Sequence, residues 1–284
     1  MFKSLLGIAP RQETDGSFSP SWMALKLSTS EVSDYQPVEY PVYRGARKKI
    51  LVVFTEQKNM TMQNGKLFST GNHPVEALLP MLHLKNAGFE FEVATISGAP
   101  VVFETWAMPT ADAAVMGLYT ELEADFLHPR ALPQVADRIV SEVSSYAAVF
   151  VPGGHGAMLG IPDDANVGRV LRFAHEHDLF TITICHGPGS LLATALDGQD
   201  FLYSGYKMAV FPDSVDKMTP TIGYLPGHMP WRLGEKLTAL GATIVNTKGD
   251  KTVCVDRRLI TGASPLASDA LGKLAATTLL ERLA

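Results

Sequence analysis

The run Phe180-Thr-Ile-Thr-Ile184 carries no charge and is almost wholly β-branched, and it breaks abruptly at Cys185-His-Gly-Pro-Gly189. A β-branched stretch of this kind fits a strand buried on both faces, which is the habit of parallel sheets covered by helices on either side. The small residues that follow suit a sharp turn into a helix. The chain is thereby directed toward an α/β architecture, with Cys185 at the carboxyl end of a strand, where ligands collect in open α/β sheets.

The rest of the chain repeats the theme. Ile50 to Phe54 is a second continuous apolar run, Val75 to Ala87 follows with helical spacing of Leu78, Leu79 and Leu82, and Phe89 to Thr95 reads as another strand. Together they predict a right-handed β-α-β unit. Further strands are expected at Ala147 to Val151, Ala242 to Val245 and Leu259 to Thr261, with a closing helix over Ala267 to Leu283. Strands alternating with helices predict a doubly wound, mostly parallel sheet. About fifty residues separate the second strand from Ala147, more than a simple connection needs. With helices expected near 111–126 and 131–144, the segment 97–145 is read as an inserted lid subdomain. Residues 1–47 lack periodicity and read as an irregular arm packed on the core or lid, leaving 48–284 as the core domain.

Composition narrows the function classes. Lys and Arg total 24 against 29 Asp and Glu in 284 residues, with no concentrated basic stretch, so a nucleic-acid partner is not expected. Leu5 to Ala9 is too short for a signal segment, and charges interrupt the chain too often for a membrane span. Only Cys185 and Cys254 are present, which excludes a disulfide framework and fits no zinc knuckle. A soluble protein of the reducing cytoplasm is expected.

Cys185 is the candidate nucleophile, because a helix amino terminus and a strand end favour thiolate over thiol. The plainer reading of a free cysteine is a small buried hydrophobe. His186 offers a general base or, through its backbone N–H, an oxyanion donor of the kind found after the nucleophile in hydrolase elbows. Gly154, in Val151-Pro-Gly-Gly-His-Gly156, is the candidate second donor, although glycines after strands are usually turns. If His73 caps the helix that follows, Pro74 is at its first position and Glu76 at its third, an ordinary helix-stabilising arrangement. The same Glu76 carboxylate is placed to face Cys185, where a raised pKa would suit proton transfer. Asp213 is the candidate to orient His186, although an aspartate after proline is often a turn former. The histidines at 73, 83, 128, 155 and 228 show no metal-ligand spacing, and no cofactor is expected.

These residues, with Asn64 to Pro74, Ala87 to Gly98, Phe211-Pro-Asp213 and Ile222 to His228, resemble the ThiJ/PfpI superfamily, in particular its HchA-type heat-shock branch. From residue 40 onward little falls outside the resemblance. It implies a flavodoxin-like core with a class I glutamine amidotransferase-like nucleophile elbow, a small lid and a homodimer. It also implies Cys185 as nucleophile, His186 and Asp213 as its triad partners, Glu76 as the carboxylate on the thiol, and Gly154 and His186 N–H groups as the oxyanion hole. Members of that branch can bind zinc through two histidines and a glutamate. The matching positions here are Lys85, Glu90 and Leu122, and neither an ammonium nor an isobutyl group offers a lone pair, so no metal is expected.

The resemblance implies a glutathione-independent glyoxalase III and protein deglycase acting on methylglyoxal, glyoxal or their early adducts with amines and thiols. The alternatives are a holding chaperone for unfolded clients, with Trp22, Met23, Trp106 and Met108 as contributors of apolar surface, and a cysteine peptidase or amidase using the same parts on another carbonyl.

Overall fold

A computed structural model describes residues 7–283; Leu5 and Leu6 of the short amino-terminal apolar stretch, and the first six residues of the arm, lie outside them. Seven strands form the main sheet: β1 (Lys49–Val53), β2 (Glu90–Thr95), β3 (Arg130–Ala131), β4 (Tyr146–Val151), β5 (Phe180–Ile184), β6 (Val253–Asp256) and β7 (Leu259–Gly262). Their spatial order is β6-β7-β5-β4-β1-β2-β3. Every pairing is parallel except β6 with β7, a hairpin at one edge.

Alternate residues of the central strands feed two cores. Leu51, Val53, Val149 and Val151 point to one face, where they meet helices α3 (Leu132–Arg138) and α4 (Ala165–Glu176), numbered after α1 (Trp22–Ser28) and α2 (Pro74–Asn86). Ile50, Val52, Phe54, Ala148, Phe150, Ile182 and Ile184 point to the other, against α2 and α7 (Ser268–Leu283), which follows α5 (Asp213–Met218) and α6 (Leu233–Ala239). Helices on both faces explain why β4 and β5 are buried at every position. The expected doubly wound α/β sheet is present.

Three details differ from the sequence reading. Thr243–Ile244 does form a strand, but it pairs with Lys207–Met208 in a separate two-stranded sheet. The hairpin strand β6, with its half-exposed pattern, was not anticipated. The segment 97–145 does not stand apart from the core: it supplies edge strand β3, and its Leu132, Val135, Ala136 and Ile139 are buried in the first core.

The arm is also more ordered than its composition suggests. Phe18–Ser19 joins a small sheet with Leu67–Ser69, and α1 is capped by the Ser21 hydroxyl, which accepts from the Ala24 N–H at 3.1 Å. The Tyr40 hydroxyl meets His83 Nδ1 of α2 at 2.9 Å, and the Gln36 N–H donates to Asp269 of α7 at 2.8 Å. These bonds bring α1 to the carboxyl ends of the central strands, where Leu27 and Ser28 line a cavity of about 340 Å³ that also holds Cys185.

Candidate active site

Strand β5 delivers the thiol. Its last residue, Ile184, is in register with Gly262, and the next N–H, that of Cys185, donates to the Gly262 carbonyl at 2.8 Å. Cys185 then takes φ +58°, in the left-handed region that a residue with a β-carbon enters only at a cost of about 1–2 kcal/mol. The Phe211 N–H holds that turn by donating to the Cys185 carbonyl at 2.9 Å. Strain held by surrounding bonds at a strand–turn–helix corner is how a nucleophile is projected off a sheet. Cys185 is 3% exposed, so its reactivity depends on the cavity and not on the bulk surface.

The same corner lets neighbouring side chains cooperate. His186 Nδ1 lies 3.3 Å from Cys185 Sγ, and His186 Nε2 lies 2.9 Å from Asp216 Oδ2. With Nε2–H donating to the carboxylate, the Nδ1 lone pair faces the thiol, the tautomer a general base requires. The other oxygen of Asp216 meets His155 Nε2 at 3.1 Å, and the two imidazoles lie 4.2 Å apart between centroids. Burial alone would raise Asp216, but the His186 charge and hydrogen bonds from both rings outweigh it and hold the carboxyl below the usual range.

Asp213, expected as the orienting carboxylate, does not reach His186. Its two oxygens accept from the Gly234 and Glu235 N–H groups, each at 2.9 Å, capping α6, whose own N-cap Arg232 provides no side-chain bond. Asp216, one turn further along α5, takes the inward position. Sequence reasoning missed both Asp216 and its second partner His155; the one available signal was the i, i+3 repeat of aspartates on a short helix.

Glu76 is fully buried on the first turn of α2, and the preceding Pro74 and N-cap His73 conform to the expected helix start. The Cys185 thiol and the Gly154 N–H act on its carboxyl, although neither oxygen attains a complete hydrogen bond. Burial pushes Glu76 well above the usual carboxylate range. It pushes the thiol up as well, and the neighbouring Glu76 charge adds to that effect. The expectation that local dipoles alone favour a thiolate is therefore corrected: desolvation dominates, and ionisation of one group of the pair opposes ionisation of the other.

Gly154 adopts φ +96° and, with Gly153, brings the loop after β4 against α2. The remaining cavity wall includes His73, Glu104, Tyr224 and Phe211, with Leu266 and Ile222 toward its mouth. Burial, with repulsion from His155 and His186, lowers His73 to about 3, so its ring is neutral. Trp106, considered above for surface binding, instead packs edge-on to Tyr224 and is only partly exposed; Trp22 is 61% exposed.

The positions matching the zinc ligands of that branch do not form a donor set. Lys85 is paired with Glu121 and the Leu122 side chain is buried, leaving Glu90 without a companion ligand from those two matching positions. Among the described residues, His155, His186 and Asp216 bring possible donor atoms together, but those atoms are engaged with one another as a hydrogen-bonded relay.

Comparison with known proteins gives a consistent picture. Over 267 residues the chain is 48% identical to the "Protein/nucleic acid deglycase HchA" of Escherichia coli O7:K1, covering 94% of this chain and 93% of that protein. The same figures hold for the protein of that name from Escherichia coli O157:H7. Among solved structures, Rapid Encystment Protein 24 KDa of Francisella tularensis aligns over 82% of this chain and 99% of its own, at 19% identity and TM-score 0.68. Glyoxalase III of Candida albicans aligns over 80% and 96%, at 20% identity and TM-score 0.61; both share the fold. Residues 67–277 match the DJ-1/PfpI family model, and the chain belongs to the DJ-1/PfpI family.

Proposed function

We propose that the protein is a cysteine-dependent deglycase and glutathione-independent glyoxalase III that acts on methylglyoxal, glyoxal or their early adducts, without a cofactor. The observation that carries this reading is the Cys185 elbow, with His186 at 3.3 Å and buried Glu76 acting on the thiol inside a cavity of about 340 Å³. Its likeness to deglycases over nearly the whole chain supports the same substrate class. The cavity volume is suited to a small carbonyl compound or a single modified side chain, which weighs against an extended peptide and hence against the peptidase reading.

His186 Nδ1 takes the thiol proton as Sγ attacks the aldehyde carbon, and Asp216 stabilises the imidazolium. The His186 N–H, with the Gly154 N–H that it shares with the Glu76 carboxyl, receives the developing oxyanion. From the hemithioacetal, Glu76 or His186 carries the proton from the attacked carbon to its neighbour through an enediol, leaving a thioester that water hydrolyses to lactate and free thiol. Attack on an aminocarbinol instead expels the amine, so both activities use one site. Apparent deglycation also follows when free dicarbonyl is consumed.

Lactate formation from methylglyoxal without glutathione, and amine release from a glycated amino acid, test the reading. Both are expected to vanish in Cys185→Ala, and undiminished turnover would end it. The proposal extends to a homodimer in the cytoplasm. Two free cysteines accord with a reducing compartment, and among the described residues no helix is long and apolar enough to cross a membrane. A holding-chaperone role is a second proposal, supported by Trp22, Leu27 and Leu266, each more than half exposed. Client protection that survives Cys185→Ala is its expected signature.

A further inference from the structure

Glu104 is 1% exposed and follows strand β2 by nine residues, yet its side chain lines the Cys185 cavity. One carboxyl oxygen is fixed: Thr70 Oγ1 donates to Oε1 at 2.7 Å. The other, Oε2, is buried and has no hydrogen-bond partner. Its backbone is pinned on both sides, since the Glu104 N–H donates to the Asn72 carbonyl at 3.0 Å and the Glu104 carbonyl accepts from the Ala107 N–H at 2.8 Å. The carboxyl is thus held and oriented; the His155 backbone N–H acts on it, yet Oε2 completes no hydrogen bond, and such a buried oxygen calls for a partner.

The other polar groups around it are only partly committed, since His73 Nδ1 and both Glu76 oxygens also lack a complete hydrogen bond. His155 and His186 share Asp216, and Glu76 serves the thiol. His73 is neutral, and burial, with the nearby carboxyl and thiol groups, pushes the Tyr224 phenol well above its usual range, so it keeps its proton. A dicarbonyl or its adduct carries oxygen on two adjacent carbons. One goes to the oxyanion donors, and the second needs a donor of its own; beside the apolar Phe211, Val215 and Ile222 the wall offers Glu104 and the Tyr224 phenol.

We propose that Glu104 is a specificity-determining residue whose protonated Oε2 donates a hydrogen bond to the oxygen on the carbon adjacent to the one Cys185 attacks. The inference rests on the dicarbonyl reading above and extends it. No covalent change occurs at Glu104. Burial raises its carboxyl to about 7 against the lowering effect of His155 and of Thr70, so the donor form is present below that pH and is lost above it. The titratable groups facing the pocket with it are Glu76 on α2, Cys185 and His186 at the elbow, Asp216 on α5, and His73, His155 and Tyr224 on loops and turns.

Glu104→Gln separates a donor from a charge. In the rotamer that keeps the Thr70 bond on the amide oxygen, the NH₂ group stands where Oε2 stood, a donor that does not titrate. Lactate formation from methylglyoxal is measured as kcat/KM from about pH 6 to about pH 9 for wild type, Glu104→Gln and Glu104→Leu, with folding checked by circular dichroism and thermal unfolding. The Gln-to-wild-type ratio is expected to rise with pH above about 7. Glu104→Leu is expected to be lower than Gln by roughly tenfold or more throughout, as befits an unmatched polar oxygen on the substrate. A flat ratio, or folded Gln and Leu variants equally impaired, would reduce Glu104 to a structural residue while leaving the function intact. Absence of Cys185-dependent turnover in wild type would instead remove the dicarbonyl reading and this inference with it.

Discussion

Gly153 and Glu76 stand so close that a β-carbon on residue 153 would lie 2.1 Å from Glu76 Oε2. The same β-carbon would approach Cys185 Cβ at 2.8 Å. The absence of a side chain at 153 therefore lets the loop after β4, the carboxyl of α2 and the thiol occupy one corner.

Gly153→Ala is expected to displace Glu76 or the elbow. A shift of this kind lowers turnover by roughly 100-fold, and crowding costs about 1–3 kcal/mol of stability. Methylglyoxal turnover beside a thermal melt distinguishes the two effects; unimpaired turnover would show that the corner has slack.

Asp213 and Asp216 separate cleanly by their partners. Asp216→Asn is expected to reduce kcat by roughly 100-fold or more, because His186 loses the carboxylate that fixes its tautomer. Asp213→Asn should instead cost about 1 kcal/mol through a weakened cap on α6 and leave the pH profile of kcat unaltered. Comparable kinetic losses in both variants would contradict this division.

The pH dependence of stability has a defined sign at Glu76. Its folded-state pKa is raised, so between the unfolded value and the folded one the native protein binds more protons than the unfolded chain. Stability consequently falls as pH rises through that window. Glu76→Gln has no such proton to lose and is expected to melt a few degrees higher than wild type near pH 8, with the gap closing toward pH 4, while turnover drops. A gap that widens on acidification would refute the assignment.

Zinc is expected to be irrelevant to both fold and activity, since Lys85 and Leu122 cannot ligate it. Dialysis against a chelator should leave turnover and unfolding temperature unchanged, and stoichiometric zinc retained at Glu90 would overturn this.

The elbow was legible because its requirements are local: a charge-free buried strand, then a cysteine, then glycines and a proline. Glu76 was legible for a similar reason, since Pro74 fixes where α2 begins. The choice between Asp213 and Asp216 was not, because both sit on one turn of α5 and only packing against α6 decides which points inward. Glu104 gave no pattern at all; its burial and its bond to Thr70, a partner 34 positions away, exist only in the folded chain. Strand β6 escaped notice because an edge strand in a hairpin needs no continuous apolar run.

The docked arm ties the site to distant parts of the chain. Ser21 donates through its N–H to the Gly223 carbonyl, and Gln36 through its N–H to Asp269. The segment that walls the cavity thus precedes its anchoring points in sequence. These contacts span more than two hundred positions in sequence, so closing them carries the loop-closure cost of most of the chain between. The enclosure around Cys185 is therefore completed only by residues as far apart in sequence as Leu27 and Leu266.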